Sequence, residues 1–318
     1  MKPIYLLLAA ALTLAACGGN PFVDTPPVDP TDPTNPDSPV TVDPKVAVDL
    51  RSIIYDPSGA GSLTMNINGL AGQNANVPFI RDGSLDVAGY EAYTYQNRST
   101  QRSYIALVAN NARGSLLASA VSDGGQFNRH FGGGTFARLD VYTAPTTGTF
   151  SYAGTYAGIF APGDASSDLP AGLVANNPYR VQGDALMNAS FINSKVDGGV
   201  VNRWLLDASG ARIDLNADGV VDDNDKLLDI TFPEMTITAN GQFLGDVEVS
   251  VAPDVPDGAT VIGSVNGVFG GVQASDVAGA IVINPIPSSD GIWEHGVFNL
   301  PRCGLAGESP LCNPTPTP

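Results

Sequence analysis

Charged side chains are scarce in this chain of 318 residues: they make up 15% of it, against roughly 25% in typical globular proteins. Basic residues are the scarcest, because 15 lysines and arginines face 32 aspartates and glutamates, which gives a formal net charge of -17. An acidic chain repels phosphate groups. We therefore expect no nucleic-acid partner and no basic membrane-binding patch.

The sequence also has few of the residues that favour long helices. Glu, Lys and Arg are rare, whereas 36 glycines and 25 prolines supply residues that are typical of turns. Short apolar or alternating runs separated by such turns indicate antiparallel strands. The predicted fold class is all-β.

Recognisable catalytic motifs are missing too. The chain has no Gly-x-Ser-x-Gly, no His-Glu-x-x-His, no phosphate-binding glycine loop and no Cys-x-x-Cys. We predict that it is not an enzyme. A hydrolase is the catalytic alternative, and it would need a nucleophile or converging carboxylates in a cleft. Of the two histidines, His130 lies between Phe127 and Phe131, where it either contacts a ligand or packs at a strand end. His295, beside Trp293, is predicted to be a barrel-strand side chain.

The N-terminus has the pattern of an export signal. Residues 1–16 carry Lys2 and then a short apolar run over 4–14, and they end in Leu-Ala-Ala before Cys17. This ending resembles the lipobox of bacterial lipoproteins, and the resemblance implies that Cys17 is lipidated and becomes the new N-terminus. The alternative is an ordinary signal peptide with a chance cysteine. Gly18 after the cysteine favours localisation in the outer membrane. The predicted partner there is the membrane itself, which the lipid would enter.

Residues 17–45 form the lipidated cysteine and a tether. Prolines are interleaved there with Asp and Thr, and proline fixes φ and removes a hydrogen-bond donor. The segment is predicted to stay extended and to hold the folded part away from the membrane.

The folded part divides into two predicted units. Residues 46–145 are predicted to form a small antiparallel sheet domain, with strands over 93–97, 104–110, 115–122 and 136–142 and a turn at Gly132-Gly133-Gly134. Residues 146–302 contain eight strand candidates in meander order: 149–160, 184–193, 200–206, 227–238, 242–251, 259–267, 276–284 and 292–299. Asp197-Gly198 and Asn240-Gly241 are predicted turns. Eight such strands can close into a barrel, and the alternative is an open sandwich.

One acidic segment matches the calcium loop of EF-hand and dockerin-like proteins. Gly219 stands at the sixth position, where the loop turns sharply, and Val221 at the eighth, which is buried in such loops. Calcium takes six to eight oxygen ligands, so this pattern predicts a structural calcium site; a solvated acidic turn is the alternative. The predicted ligands are Asp214, Asn216, Asp218, Val220 (through its carbonyl), Asp222 and Asp225.

Two cysteines remain beyond Cys17. Cys303 and Cys312 flank a short segment of a chain with an export signal, so we predict a disulfide between them, with two free thiols as the alternative. Residues 303–318 would then be a disulfide-closed C-terminal tail.

The stretch from Gly267 to Gly279 resembles the signature of the transferrin-binding protein B β-barrel family. That family carries Gly-x-Phe-Tyr-Gly, then Ala-x-Glu, then a glycine before a strand; here Asp276 replaces the Glu and Gly270 stands where Tyr is common. The matching residues are Gly267, Phe269, Gly271, Ala274 and Gly279. The resemblance covers roughly 90–303 and implies a handle-like sheet domain followed by an eight-stranded antiparallel barrel, in a single lobe.

These features together predict a non-catalytic binding lipoprotein on the outer membrane, on its periplasmic or cell-surface face. The resemblance implies a role in iron or haem acquisition, with an extracellular protein or a haem-like compound as ligand. The alternative is a structural envelope lipoprotein that captures no ligand.

Overall fold

The computed structural model describes residues 39–58, 61–68, 76–110, 113–126, 129–163, 169–250, 259–284 and 293–313. The predicted signal peptide, Cys17 and most of the tether lie outside these ranges. The longest helix within them, Pro44–Ala47, has four residues, which is far short of a bilayer span. Three single-turn 3-10 helices lie at Gly83–Leu85, Asp223–Asp225 and Pro310–Cys312.

Seven strands form an antiparallel sheet in chain order, which we call the handle. The helix α1 (Pro44–Ala47) precedes it, and Asp43 caps α1 by accepting a hydrogen bond from the Lys45 backbone N–H. Alternating buried and exposed side chains give the first strands one core face. The handle strands are β1 (Leu50–Asp56), β2 (Ser62–Ile67), β3 (Val77–Arg81), β4 (Glu91–Tyr95), β5 (Tyr104–Asn110), β6 (Leu116–Asp123) and β7 (Gly132–Arg138).

Eight further strands form a closed antiparallel barrel, which confirms the predicted architecture and excludes the open sandwich. The last strand pairs with the first, with His295 opposite Ile159, so the sheet has no free edge. The barrel strands are β8 (Thr149–Ala161), β9 (Tyr179–Ser190), β10 (Lys195–Leu206), β11 (Ile230–Thr236), β12 (Gln242–Ser250), β13 (Ala259–Gly270), β14 (Asp276–Ile283) and β15 (Trp293–Pro301).

Two of the turns predicted from glycine were wrong, while the turn at Asn240-Gly241 is confirmed. Gly132-Gly133-Gly134 lies inside β7. Glycine is needed at position 134 because a Cβ there would come within 2.5 Å of the Ala280 Cβ of the barrel. Asp197-Gly198 lies inside β10, beside a register shift, where a Cβ on Gly198 would meet the Leu186 carbonyl at 2.4 Å. Both glycines permit close backbone contact rather than a change of direction.

The handle covers one outer wall of the barrel. Every residue of β14 is buried, because one face of the strand points into the barrel and the other packs under the handle. Ala278, Ala280 and Val282 of β14 share a buried cluster with Leu116 and Phe136 of the handle. The two sheets therefore share a hydrophobic core.

The family-like signature lies at this joint. Gly270 packs directly under the handle, since a Cβ there would come within 2.6 Å of the Leu116 side chain. The fully buried Asp276 carboxylate accepts hydrogen bonds from Arg113 at 2.5 Å and from the Ser115 hydroxyl at 3.0 Å, both in the handle. Asp276, which replaces the Glu of the family pattern, thus connects the two parts of the molecule.

Candidate functional site

The two ends of the barrel differ. At the end that we call the turn end, short connections over 191–194, 237–241 and 271–275 join neighbouring strands. At the opposite end, the loop end, long connections join β8 to β9 and β10 to β11; the second of these spans 207–229. Because binding residues are more often carried on loops than on tight turns, the loop end is the candidate functional site.

Aromatic side chains fill the barrel at the turn end. The Phe269 ring lies 5.4 Å from Tyr152, 5.6 Å from Phe243 and 5.2 Å from Phe191, measured between ring centroids. Such tilted and edge-on pairs pack densely and exclude water. The turn end is therefore closed.

The turn end also receives the chain from the N-terminal side. Thr41 and Gln242, at the start of β12, exchange hydrogen bonds of 3.3 and 2.7 Å, and the Asp43 backbone N–H donates to the Asn266 side chain at 2.8 Å. Residue 39, where the described part begins, is thus close to the turn end. The loop end lies on the opposite side of the barrel.

The C-terminal segment lies at the same end. Cys303 and Cys312 form the predicted disulfide, with Cα atoms 5.4 Å apart, which is within the normal range for such bonds. The Cys303 N–H donates to the Ser151 carbonyl at 2.8 Å, and this bond holds the closed loop against the start of β8.

The loop-end segments carry exposed aliphatic side chains, as does the turn end at Ile192 and Val272. Those of the loop end are between 45% and 65% exposed, although aliphatic side chains normally contribute most to stability when buried. The residues are Val174, Val220, Val221, Leu228 and Val261.

The acidic loop over 214–225 is held by its own side chains. The Asp214 carboxylate accepts hydrogen bonds from the N–H groups of Ala217 at 2.7 Å and Gly219 at 2.8 Å. Asn216 and Asp218 each accept one from the residue two positions later, at 2.9 and 2.8 Å. These turns fold the predicted ligand positions around Gly219, whose φ is +87°. Such a positive φ favours glycine.

Asp225 is the centre of this loop. Its buried carboxylate accepts hydrogen bonds from the N–H groups of Leu215 at 2.8 Å, Asn216 at 3.2 Å and Asp222 at 2.9 Å. These donors, the Asp222 N–H first among them, lower the pKa of Asp225 because they favour its charged form. The short helix at Asp223–Asp225 begins with a capping box made by Asp222 and Asp225.

Two observations bear on whether calcium fits this loop. The side chains at three predicted ligand positions, Asp214, Asn216 and Asp218, accept hydrogen bonds from backbone N–H groups further along the loop. Among the residues that the structure describes, however, no three carboxylate oxygens of the loop lie within 4.8 Å of one another. Val221 differs from expectation: it is 45% exposed instead of buried, because no second loop of this kind packs against it in the described part.

A buried ion pair lies inside the loop end. Glu294 accepts hydrogen bonds from the Tyr156 hydroxyl at 2.6 Å and from the Arg203 guanidinium, whose second amino group donates to the Leu228 carbonyl. Burial lowers the pKa of Arg203 and the Glu294 carboxylate raises it, with a net rise. Burial, together with that carboxylate, also raises the pKa of Tyr156 well above its ordinary value. The sequence analysis did not single out these residues, which are far apart in the chain.

The two histidines meet between the handle and the barrel. The His130 ring lies 5.7 Å from Trp293, and Trp293 stacks on His295 with 6.3 Å between centroids. A cavity of about 280 Å³ lies beside them, lined also by Asp49 and Arg129. Burial lowers the pKa of His295 to about 3, and neighbouring His130 adds to this effect. His295 is a barrel-strand residue as predicted, and it is neutral at physiological pH.

In the described residues, a seven-stranded sheet packs on a closed eight-stranded barrel. No family model matches the chain, and no curated protein matches it.

Several solved structures are similar to it. Transferrin binding protein B from Neisseria meningitidis is 15% identical, with 80% of this chain and 52% of that chain covered and a TM-score of 0.34. A double mutant of transferrin binding protein B from Haemophilus parasuis is 12% identical, with 76% of this chain and 50% of that chain covered and a TM-score of 0.35.

The haemoglobin receptor HpuA from Kingella denitrificans, in complex with human haemoglobin, is 12% identical, with 81% and 84% covered and a TM-score of 0.41. The chain spans about half the length of the two transferrin binding protein B structures. Transferrin binding protein B, whose family the sequence signature resembles, is among the solved structures that are similar to this chain.

Proposed function

We propose that this protein is a non-catalytic binding lipoprotein, anchored in the outer membrane through a lipid on Cys17, that binds an extracellular protein with its loop end. The observation that carries this proposal is the difference between the two barrel ends. The chain enters near the closed turn end, where the C-terminal disulfide also lies, so a tether from Cys17 would direct the loop end away from the membrane.

The chemistry of the loop end indicates the kind of partner. Exposed aliphatic side chains supply the apolar area that protein interfaces bury at their centre. Around them the connection over 207–229 carries seven aspartates and only two basic residues, Arg212 and Lys226. Charge complementarity therefore favours a partner with a basic surface, and its binding should weaken as salt is added.

We further propose that the protein has a role in iron or haem acquisition. Transferrin and haemoglobin, named for the similar structures, are the first proteins to test. A haem-like compound is a second candidate ligand, because His130, Trp293 and His295 lie together and imidazole is an iron ligand. The cavity beside them, about 280 Å³, would have to widen to admit it. Titration with haemin should give a Soret shift in the parent protein but not in His130→Ala if this second candidate is correct.

We also propose that calcium occupies the loop over 214–225 and has a structural role. Asp214, Asn216, Asp218, Asp222 and Asp225 would supply side-chain oxygens and Val220 its carbonyl. The support is the agreement between the sequence register and the turns that these side chains make. Bound calcium would draw the carboxylates closer together than they are in the structure, since a hard divalent cation offsets their mutual repulsion.

The experiment compares matched surface variants. Val174→Asp and Val261→Asp alter the loop end, whereas Ile192→Asp and Val272→Asp alter equally exposed aliphatic positions at the turn end. We expect immobilised human transferrin or haemoglobin to bind the parent protein and the two turn-end variants. The loop-end variants should bind at least tenfold more weakly.

The alternative is a structural envelope lipoprotein without a captured ligand. Its large negative charge would then serve to hydrate the surface. The alternative is favoured if neither protein binds and if the intact lipoprotein retains nothing specific from growth medium or envelope extracts. In either case Cys17→Ser should release the protein from the membrane fraction, and retention in that fraction would contradict the lipid anchor.

A further inference from the structure

An apolar cavity of about 230 Å³ opens inside the barrel at the loop end. Phe160, Val249, Ile262 and Ile283 form its walls, and each of them is less than a tenth exposed. Cavities for drug-sized ligands usually hold 300–1,000 Å³, so this one suits a smaller molecule. Eight-stranded barrels are wide enough to hold one small ligand.

The polar groups of the cavity have unused donors rather than unused acceptors. Both oxygens of Glu294 already accept hydrogen bonds, one from Tyr156 and the other from Arg203. The Arg203 side chain, 5% exposed, keeps one buried N–H group, that of Nε, which has no partner among the residues that the structure describes. An unpaired buried donor costs free energy that a bound acceptor would recover.

The charge of the cavity does not oppose an acceptor. Arg203 and Glu294 neutralise each other. Lys226 also lines the cavity, and its amine pairs with Asp223 at 2.9 Å and donates to the Asn202 side chain at 3.1 Å. Among the described residues, the Arg203 Nε–H group therefore remains the unpaired donor of this cavity.

We propose that this cavity binds a small amphiphilic molecule: a short aliphatic chain with a carboxylate or carbonyl group at one end. The aliphatic chain lies against Phe160, Ile262 and Ile283, and the head group accepts a hydrogen bond from the Arg203 Nε–H group. This small-molecule site is separate from the protein-binding role proposed above, because it uses the inside of the barrel and not its outer rim.

Octanoate is the probe, measured by titration calorimetry, with octanamide and octylammonium as matched head-group variants. Octanoate should bind with one-to-one stoichiometry and octanamide should show whether a carbonyl suffices. Octylammonium, which has the same chain but no acceptor, should not bind.

Two neighbouring residues supply matched variants of the protein. Ile262 faces the cavity, whereas Val261 is 54% exposed on the outside of the same strand. Ile262→Trp should fill the cavity and weaken octanoate binding at least tenfold, and Val261→Trp should leave it unchanged. Leu228→Asp adds a carboxylate at an exposed position of the rim, so it should fold normally and weaken octanoate more than octanamide.

The proposal is overturned if neither octanoate nor octanamide binds saturably, or if octylammonium binds equally well. Equal binding by a folded Ile262→Trp variant would also overturn it. Should Ile262→Trp fail to fold, the comparison of octanoate with octanamide on Leu228→Asp decides: unchanged octanoate affinity there counts against the site.

Discussion

Arg113 of the handle and Asp276 of the barrel form an ion pair of 2.5 Å, although 163 residues separate them in the chain. The Asp276 carboxylate is fully buried and also accepts hydrogen bonds from the hydroxyls of Ser115 and Ser275. The pair therefore joins the two sheets at the point where β14 begins.

Removal of the Arg113 side chain should destabilise the whole protein. In Arg113→Ala a buried carboxylate loses its cation and keeps only two hydroxyl donors, so the free energy of unfolding should fall by about 2 kcal/mol. Urea unfolding followed by fluorescence measures the change. Arg98→Ala, at an exposed handle position, serves as the control and should have no comparable effect. Equal stability of the two variants would show that the pair contributes nothing.

Gly270 should tolerate no side chain while Leu116 is present. A Cβ would lie 2.6 Å from the Leu116 side chain, and overpacking of this kind typically costs 1–3 kcal/mol. Gly270→Ala should therefore destabilise the protein, and the double variant with Leu116→Ala should recover part of the loss. A double-mutant cycle with no coupling energy would argue against this contact.

Acid should destabilise the protein through His295. Its pKa is lowered to about 3 in the native state and lies near 6.5 when unfolded, so only the unfolded chain takes up a proton as the pH falls between these values. The free energy of unfolding is therefore unaffected by this titration above about pH 6.5. Below that pH it falls, by about 2 kcal/mol at pH 5.

Unfolding of the parent protein and of His295→Gln at pH 8 and pH 5 tests this expectation. The free energy of unfolding of His295→Gln should fall less between pH 8 and pH 5 than that of the parent protein. Burial raises the pKa values of Asp49, which lines the same cavity, and of Asp123, which accepts a hydrogen bond from the Phe131 N–H beside that cavity. Protonation of these two carboxylates works in the opposite direction in both proteins. An identical pH dependence of the two proteins would rule out the His295 contribution.

Calcium should raise the melting temperature and chelation should lower it. A ligand that binds only the native state stabilises it by about 2.7 kcal/mol at one hundred times its dissociation constant. Asp214→Asn and Asp218→Asn remove predicted ligands and should abolish the shift. Asp223→Asn changes an exposed carboxylate of the same loop that is not a predicted ligand, so the shift should persist. A melting curve that chelator leaves unchanged would exclude the site.

The fold could be predicted because its signals are local. Alternating apolar residues and the Asn240-Gly241 turn placed most barrel strands to within a few residues, and β5 matched at both ends. The two wrong turns, at 132–134 and 197–198, arose because glycine has two uses that a sequence does not distinguish. A turn needs its backbone freedom, whereas β7 and β10 need its lack of a side chain.

The candidate site was harder to predict, because it depends on residues that meet only through the barrel. Tyr156, Arg203 and Glu294 lie on β8, β10 and β15, and none has a local sequence pattern that indicates a shared hydrogen-bond network. The acidic loop over 214–225 could be recognised because its spacing of Asp, Asn and Gly lies within one short segment. The exposure of Val221 could not, since it depends on which segments pack nearby.

The strand β14 has no residue facing solvent. A fragment that contained only the barrel would expose the alanines and valines along its outer face, and such a stripe favours self-association. Heat or denaturant should accordingly melt handle and barrel in one cooperative step, and neither half can be expected to survive as an independent product of proteolysis.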